Sequence, residues 1–171
     1  MPFLFKTVEK KFKYFHVTPV FIGEKVNLKL AVPVAPFEDD HGYVIEDDIT
    51  PRACVSSSIE GCIAALGEAC YDWAVYGSND LKTFKPNSNC SIPNYGIEFS
   101  WLDYAIKKGL DNSDDNLRRQ FLKGCVPDAD HTGELWLTED SPSTEVYFLG
   151  TINDDKKIKT SEQYYELTRK S

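Results

Sequence analysis

This sequence lacks most of the features that would direct a first reading. No two of its five cysteines, Cys54, Cys62, Cys70, Cys90 and Cys125, have the C-x-x-C spacing of a zinc site or redox dithiol. Their number is odd, and Cys54, Cys62 and Cys70, eight residues apart in an apolar-patterned stretch, read as small buried hydrophobes. His16, His41 and His131 make no metal constellation. No apolar run approaches the ~20 residues of a membrane span. Lys6, Lys10, Lys11 and Lys13 interrupt any secretory apolar segment at the start. Basic residues are in deficit, with 19 Lys and Arg against 27 Asp and Glu, for a net charge of −8. That balance argues against a membrane partner and against general nucleic-acid affinity, since both reward basic patches. No internal repeat and no linker long enough to divide domains is visible. Residues 1–171 therefore read as a single cytoplasmic domain, with 152–171 a charged tail or terminal helix.

What is present is an apolar content of 42% with 13% aromatics, enough for one core rich in rings. Aromatic and β-branched residues suit half-buried strands, so a sheet is expected. Residues 12–18 form such a strand and stop at Pro19. Val20 to Leu30 suits a short second strand or extended arm. Phe37 to Thr50 is acidic and reads as a solvated loop without the ligand pattern of a calcium site. Arg52 to Ser56 is a short strand. After it, Ile59, Cys62, Ile63, Leu66, Cys70 and Trp73 follow helical spacing and give one apolar stripe. Ser57 with Glu60 makes a capping box at its start, and Ser56 and Ser58 are alternative caps. Leu135 to Thr138 and Glu145 to Ile152 read as two strands joined in a hairpin around Ser141-Pro142-Ser143.

Three of these segments, taken in order, resemble the ADP-ribosyltransferase superfamily. Phe15-His16-Val17-Thr18 is similar to the family's aromatic-His-x-Thr/Ser strand. Arg52-Ala-Cys-Val-Ser-Ser-Ser-Ile-Glu-Gly-Cys-Ile-Ala-Ala65 is similar to its strand, small polar turn and helix. It looks especially like the branch that includes small rifamycin-modifying ADP-ribosyltransferases. Glu134 to Glu139 followed by Glu145 to Leu149 resembles its last two strands. The resemblance spans residues 14–152 and rests on the conjunction, since each motif alone is common. It implies an α+β fold of split antiparallel sheets with flanking helices, and NAD as substrate. Two departures stand out. Ile63-Ala64-Ala65 offers no ring where many members stack a Tyr on the nicotinamide, and Val17 stands where many have Gly.

The resemblance also implies roles. His16 and Thr18 would hold the adenosine ribose, with the backbone around Val17 meeting the nicotinamide amide. Glu134 would steady the developing ribosyl cation from the start of its strand, with Glu139 in reserve. Alone, His16 reads as a packed strand histidine and Glu134 as a solvent-facing strand residue. Arg52 is placed to reach a diphosphate or to pair with the acidic loop. Ser56, Ser57 and Ser58 stand at a helix start, where N–H groups favour anions, or simply cap it. Tyr43 is a candidate for stacking on a base. The function expected is therefore NAD-dependent transfer of ADP-ribose to an acceptor the sequence does not identify, with a protein among the candidates. The alternative is a non-catalytic nucleotide- or partner-binding module on the same fold, such as a phage or mobile-element inhibitor. A nucleotide-processing relative is a third reading.

Overall fold

A computed structural model describes residues 2–36, 38, 44, 46–66, 73–88, 101, 104–152 and 157–169. Its central strand is β5 (Trp73–Ser78), all six residues of which are buried. Alternation along it divides two cores, because successive side chains of a strand point to opposite faces. Trp73 and Val75 join one cluster, while Ala74 and Tyr76 join the other.

Around β5 the chain builds one antiparallel sheet, giving an α+β fold. In chain order the strands are β1 (Pro2–Leu4), β2 (Tyr14–Thr18), β3 (Lys25–Asn27), β4 (Ala53–Ser56), β5, β6 (Glu134–Leu137), β7 (Glu145–Ile152) and β8 (Lys157–Thr160). Their spatial order is β1-β8-β7-β5-β2-β4-β6, with β3 paired to β7 outside this path. The helices are α1 (Phe5–Glu9), α2 (Ile59–Leu66), α3 (Asp115–Phe121), α4 (Ala129–Thr132) and α5 (Glu162–Arg169). Phe5 and Val8 of α1, Ile59 and Cys62 of α2 and Tyr164 of α5 share one cluster with Phe15, Leu149 and Ile158. Among the described residues, no helix is long and apolar enough to cross a membrane.

Several expectations change. The stripe ending in Cys70 and Trp73 was expected to be one helix, but α2 stops at Leu66 within the described residues and Trp73 opens β5. Helix and strand feed the same core, so Trp73 keeps helical spacing without being helical. Leu135–Thr138 and Glu145–Ile152 do not form a hairpin. Strand β6 pairs with β4, while β7 pairs with β3, β5 and β8. The turn between them is tied elsewhere: Lys82 N–H donates to Ser141 Oγ, and Leu28 N–H donates to Thr144 O. Of the charged tail or terminal helix expected after 152, the helix is present as α5, and ahead of it β8 lies between β1 and β7 with Ile158 fully buried. Cys62 is buried, but Cys54 is exposed and Cys125 is disulfide-bonded. Cysteine here is not uniformly a small hydrophobe.

Candidate functional site

The site begins at an incomplete pairing. Strand β2 matches β5 along five residues, Tyr14 to Thr18, yet meets β4 at one pair, Phe15 opposite Ser56. A small cleft of about 110 Å³ lies at this junction. His16 and Val17 line it from β2, and Cys54, Val55 and Ser56 from β4. Helix α2 contributes Gly61, Cys62, Ala65 and Leu66, and the far wall is Thr132 with Glu134. His16 and Glu134, over a hundred residues apart in the chain, thus share one cleft.

Two glycines bring the helices close enough. A Cβ on Gly61 would stand 1.9 Å from the backbone oxygen of Thr132, so only glycine lets α2 lie against the end of α4. Gly133, at φ 66°, is the left-handed cap that ends α4 and delivers Glu134 to the first position of β6. Ser56 locks the same corner: its Oγ donates to Thr132 O at 2.9 Å and accepts from Ser58 N–H at 3.2 Å. The helix cap is Ser58, which accepts from Gly61 N–H at 3.0 Å. Ser57 makes no such bond. It is exposed and lines an adjoining hollow with Lys85, Asp130 and Glu134. The first N–H of α2 is satisfied from another element, by Glu9 Oε1 at 2.8 Å.

The His16 ring spans the junction, with Nδ1 3.0 Å from the carbonyl oxygen of Cys54. A carbonyl only accepts, so Nδ1 carries the proton and, in the neutral ring, Nε2 is left as an acceptor. Burial lowers the His16 pKa below its ordinary 6.5, with the carbonyl bond acting in the opposite direction. The ring is therefore neutral near pH 7, suited to a hydroxyl donor.

Glu134 is held by two donors on one oxygen. Trp136 Nε1–H reaches Oε1 at 2.7 Å and the Cys54 thiol reaches it at 3.2 Å. Crowding out of water, and secondarily the neighbouring carboxylate, push the Cys54 thiol up to about 12. It is a hydrogen-bond donor at neutral pH and no nucleophile.

Behind Trp136 stands Arg52, its guanidinium 4.1 Å from the indole centroid. Arg52 is buried and does not line the cleft. It donates to the backbone oxygens of Asp47 and Thr50, and pairs with Glu46 at 3.4 Å. Asp47 is itself fully buried and accepts from the N–H groups of Ile49, Thr50 and Gly124 and from the Thr50 hydroxyl. Burial acts to raise its pKa, but these bonds outweigh it and the net displacement is downward. Arg118 and Arg119 pair with Asp48. Residues 46–48 are thus an internal knot of ion pairs rather than the solvated loop expected. Arg52 serves that knot and the indole.

Of the other expected residues, Thr18 turns its hydroxyl onto Val20 O and does not line the cleft. Glu139 is exposed beyond the end of β6 and also lies outside the cleft lining. Tyr43 lies outside the described residues. Cys54 and Trp136 were not anticipated. The second was findable, since residues two apart on a strand share a face and Trp136 follows Glu134 by two. No local signal marks Cys54, which meets Glu134 only through the β4–β6 pairing. Among the described residues, no group of three or more His, Cys, Asp or Glu is placed to hold a metal ion. No protein-family model, curated protein or solved structure matches this chain.

Proposed function

We propose that the chain is an ADP-ribosyltransferase-type enzyme on an α+β fold of that class, with NAD as its substrate in the β2–β4 cleft. One observation carries the reading: the His16 imidazole and the Glu134 carboxylate, expected from separate motifs, line a single cleft. The Nε2 acceptor of His16 suits a ribose hydroxyl, with Val17 beside it. Ser56 works as the lock that keeps the floor in place. The bond between nicotinamide and ribose breaks with its electron pair leaving on the nicotinamide nitrogen. Glu134, steadied by Trp136, stabilises the positive charge left on the ribose until an acceptor nucleophile attacks the anomeric carbon. The protein contributes positioning and electrostatics, with no covalent intermediate on the enzyme.

A second reading is favoured by one feature. The residues α2 presents to the cleft, Gly61, Cys62, Ala65 and Leu66, include no ring to stack on nicotinamide. The same cleft then serves a non-catalytic nucleotide- or partner-binding module. Incubation with NAD separates the two, following nicotinamide release and melting temperature together. Release that falls by about a hundredfold or more in Glu134→Gln, with NAD-induced stabilisation kept, supports the enzyme. Stabilisation without release supports the binding module. No stabilisation at millimolar NAD sinks both as NAD readings.

A further inference from the structure

A second cavity follows the cleft along β6. Glu134 lines the cleft, whereas Trp136 and Thr138, alternate residues on the same face, line the second hollow. It is more than three times as large, near 380 Å³. Lys82, Phe84, Lys123 and Asp140 form its rim over the Trp136 floor, with Thr50 and Thr83 adding hydroxyls. The Phe84 ring is 52% exposed and leans on Trp136, with centroids 6.1 Å apart.

The charges at this rim run against the rest of the molecule. The chain carries a net charge of −8, and Lys25, Arg52, Lys85, Arg118 and Arg119 are paired with carboxylates. Lys82 and Lys123 are exposed, and neither ammonium is in an ion pair among the described residues. Two free ammonium groups and an exposed ring around one hollow suit a ligand with a flat ring and a single anionic group. The ring would lie against Phe84 and the anion would meet the lysines. Asp140 on the same rim opposes highly charged anions and accepts from an amino or hydroxyl group.

We propose that this cavity binds a small aromatic anion of the nucleoside monophosphate class, separately from the β2–β4 cleft. Trp136, which lines this cavity beneath Phe84, is the residue whose N–H holds Glu134, so one hydrogen bond links the two hollows.

The test is calorimetric titration of the full chain with GMP, which is not a fragment of NAD. Binding in the micromolar to millimolar range is expected. Lys82→Ala with Lys123→Ala should weaken it roughly tenfold or more, as loss of charge-assisted bonds implies. Phe84→Ala should weaken it severalfold. Guanosine should bind more weakly than GMP, and His16→Ala should leave GMP affinity unchanged. Both lysines are exposed, so thermal melts should confirm intact folding, and Lys82→Glu provides a second variant with the same expected direction. No heat at millimolar GMP overturns the proposal, as does affinity that survives the double substitution. Affinity lost in His16→Ala but kept without the lysines overturns it too, by placing GMP in the cleft. None of these outcomes bears on whether NAD is turned over.

Discussion

At the scale of single residues, the orientation of Glu134 is the quantity on which a catalytic cleft depends. One of its oxygens receives the Trp136 indole at 2.7 Å, and that indole is pressed by the Arg52 guanidinium. Trp136→Phe keeps most of the packing and removes the donor. Hydrogen bonds to charged groups contribute about 1.5–3 kcal/mol, so NAD turnover should fall by roughly tenfold to a hundredfold. A loss confined to stability, with turnover per folded molecule unchanged, would show that the indole does not position the carboxylate. Cys54 gives an independent check on the same group. With its thiol pushed from 9.0 to about 12, the thiolate is scarcer than in an ordinary cysteine by about a thousandfold. Alkylation at pH 8 should be correspondingly slow although the residue is exposed, and should accelerate in Glu134→Gln. Rapid alkylation of the unaltered chain contradicts the environment described. The sequence named His16 and Glu134 because their motifs sit on single strands. It said nothing of Cys54, whose role exists only once β4 and β6 are paired.

At the scale of elements, local signals placed some boundaries well and pairings poorly. The end of β2 and the start of α2 were legible from Pro19 and the serine run, whereas β2 begins at Tyr14, two residues later than its aromatic content suggested. The end of α2 was not legible, because Trp73 packs into the same core from a strand. The β6–β7 hairpin failed for a related reason: a turn-forming Ser-Pro-Ser can redirect a chain without pairing its flanks. Gly61 is where sequence and packing meet most sharply. Helix propensity favours Ala over Gly by about 1 kcal/mol in an unhindered helix. Here the added methyl meets a backbone oxygen at 1.9 Å, and backbone cannot rotate away as a side chain can. Gly61→Ala should therefore destabilise the fold, by about 1–3 kcal/mol for an overpacked site. It should also loosen the α2–α4 corner that shapes the cleft. Urea unfolding measures the first effect, and a variant as stable as the parent would show that α2 and α4 are less tightly apposed.

At the scale of the whole molecule, two buried groups with opposite chemistry divide the acid response into separate windows. The His16 pKa is lowered on folding, so the unfolded chain takes up the proton first. Its contribution to stability is complete above about 6.5, and is lost as pH falls from there through the folded value. The Asp47 pKa is also lowered, but from 3.8. Its bonds from Ile49, Thr50 and Gly124 contribute fully above that value, and are lost as pH falls through the folded one. The acidic loop looked solvated in the sequence because only Arg52, the pairing already expected, is near it in the chain, while Arg118 and Arg119 lie some seventy residues away. Stability measured against pH should thus decline in two steps, one below neutrality and one below about pH 4. His16→Ala should remove only the first. Asp47→Asn should remove the acid step while lowering stability at neutral pH by about 1–3 kcal/mol, because an amide presents two donors where Oδ2 accepted from Gly124 N–H and Thr50 Oγ1. An Asp47→Asn chain that matched the parent at pH 7 and kept its acid step would mean that the 46–48 segment is outside water only in part. The support it gives Arg52, and through Arg52 and Trp136 the cleft carboxylate, would then be weaker than this geometry requires.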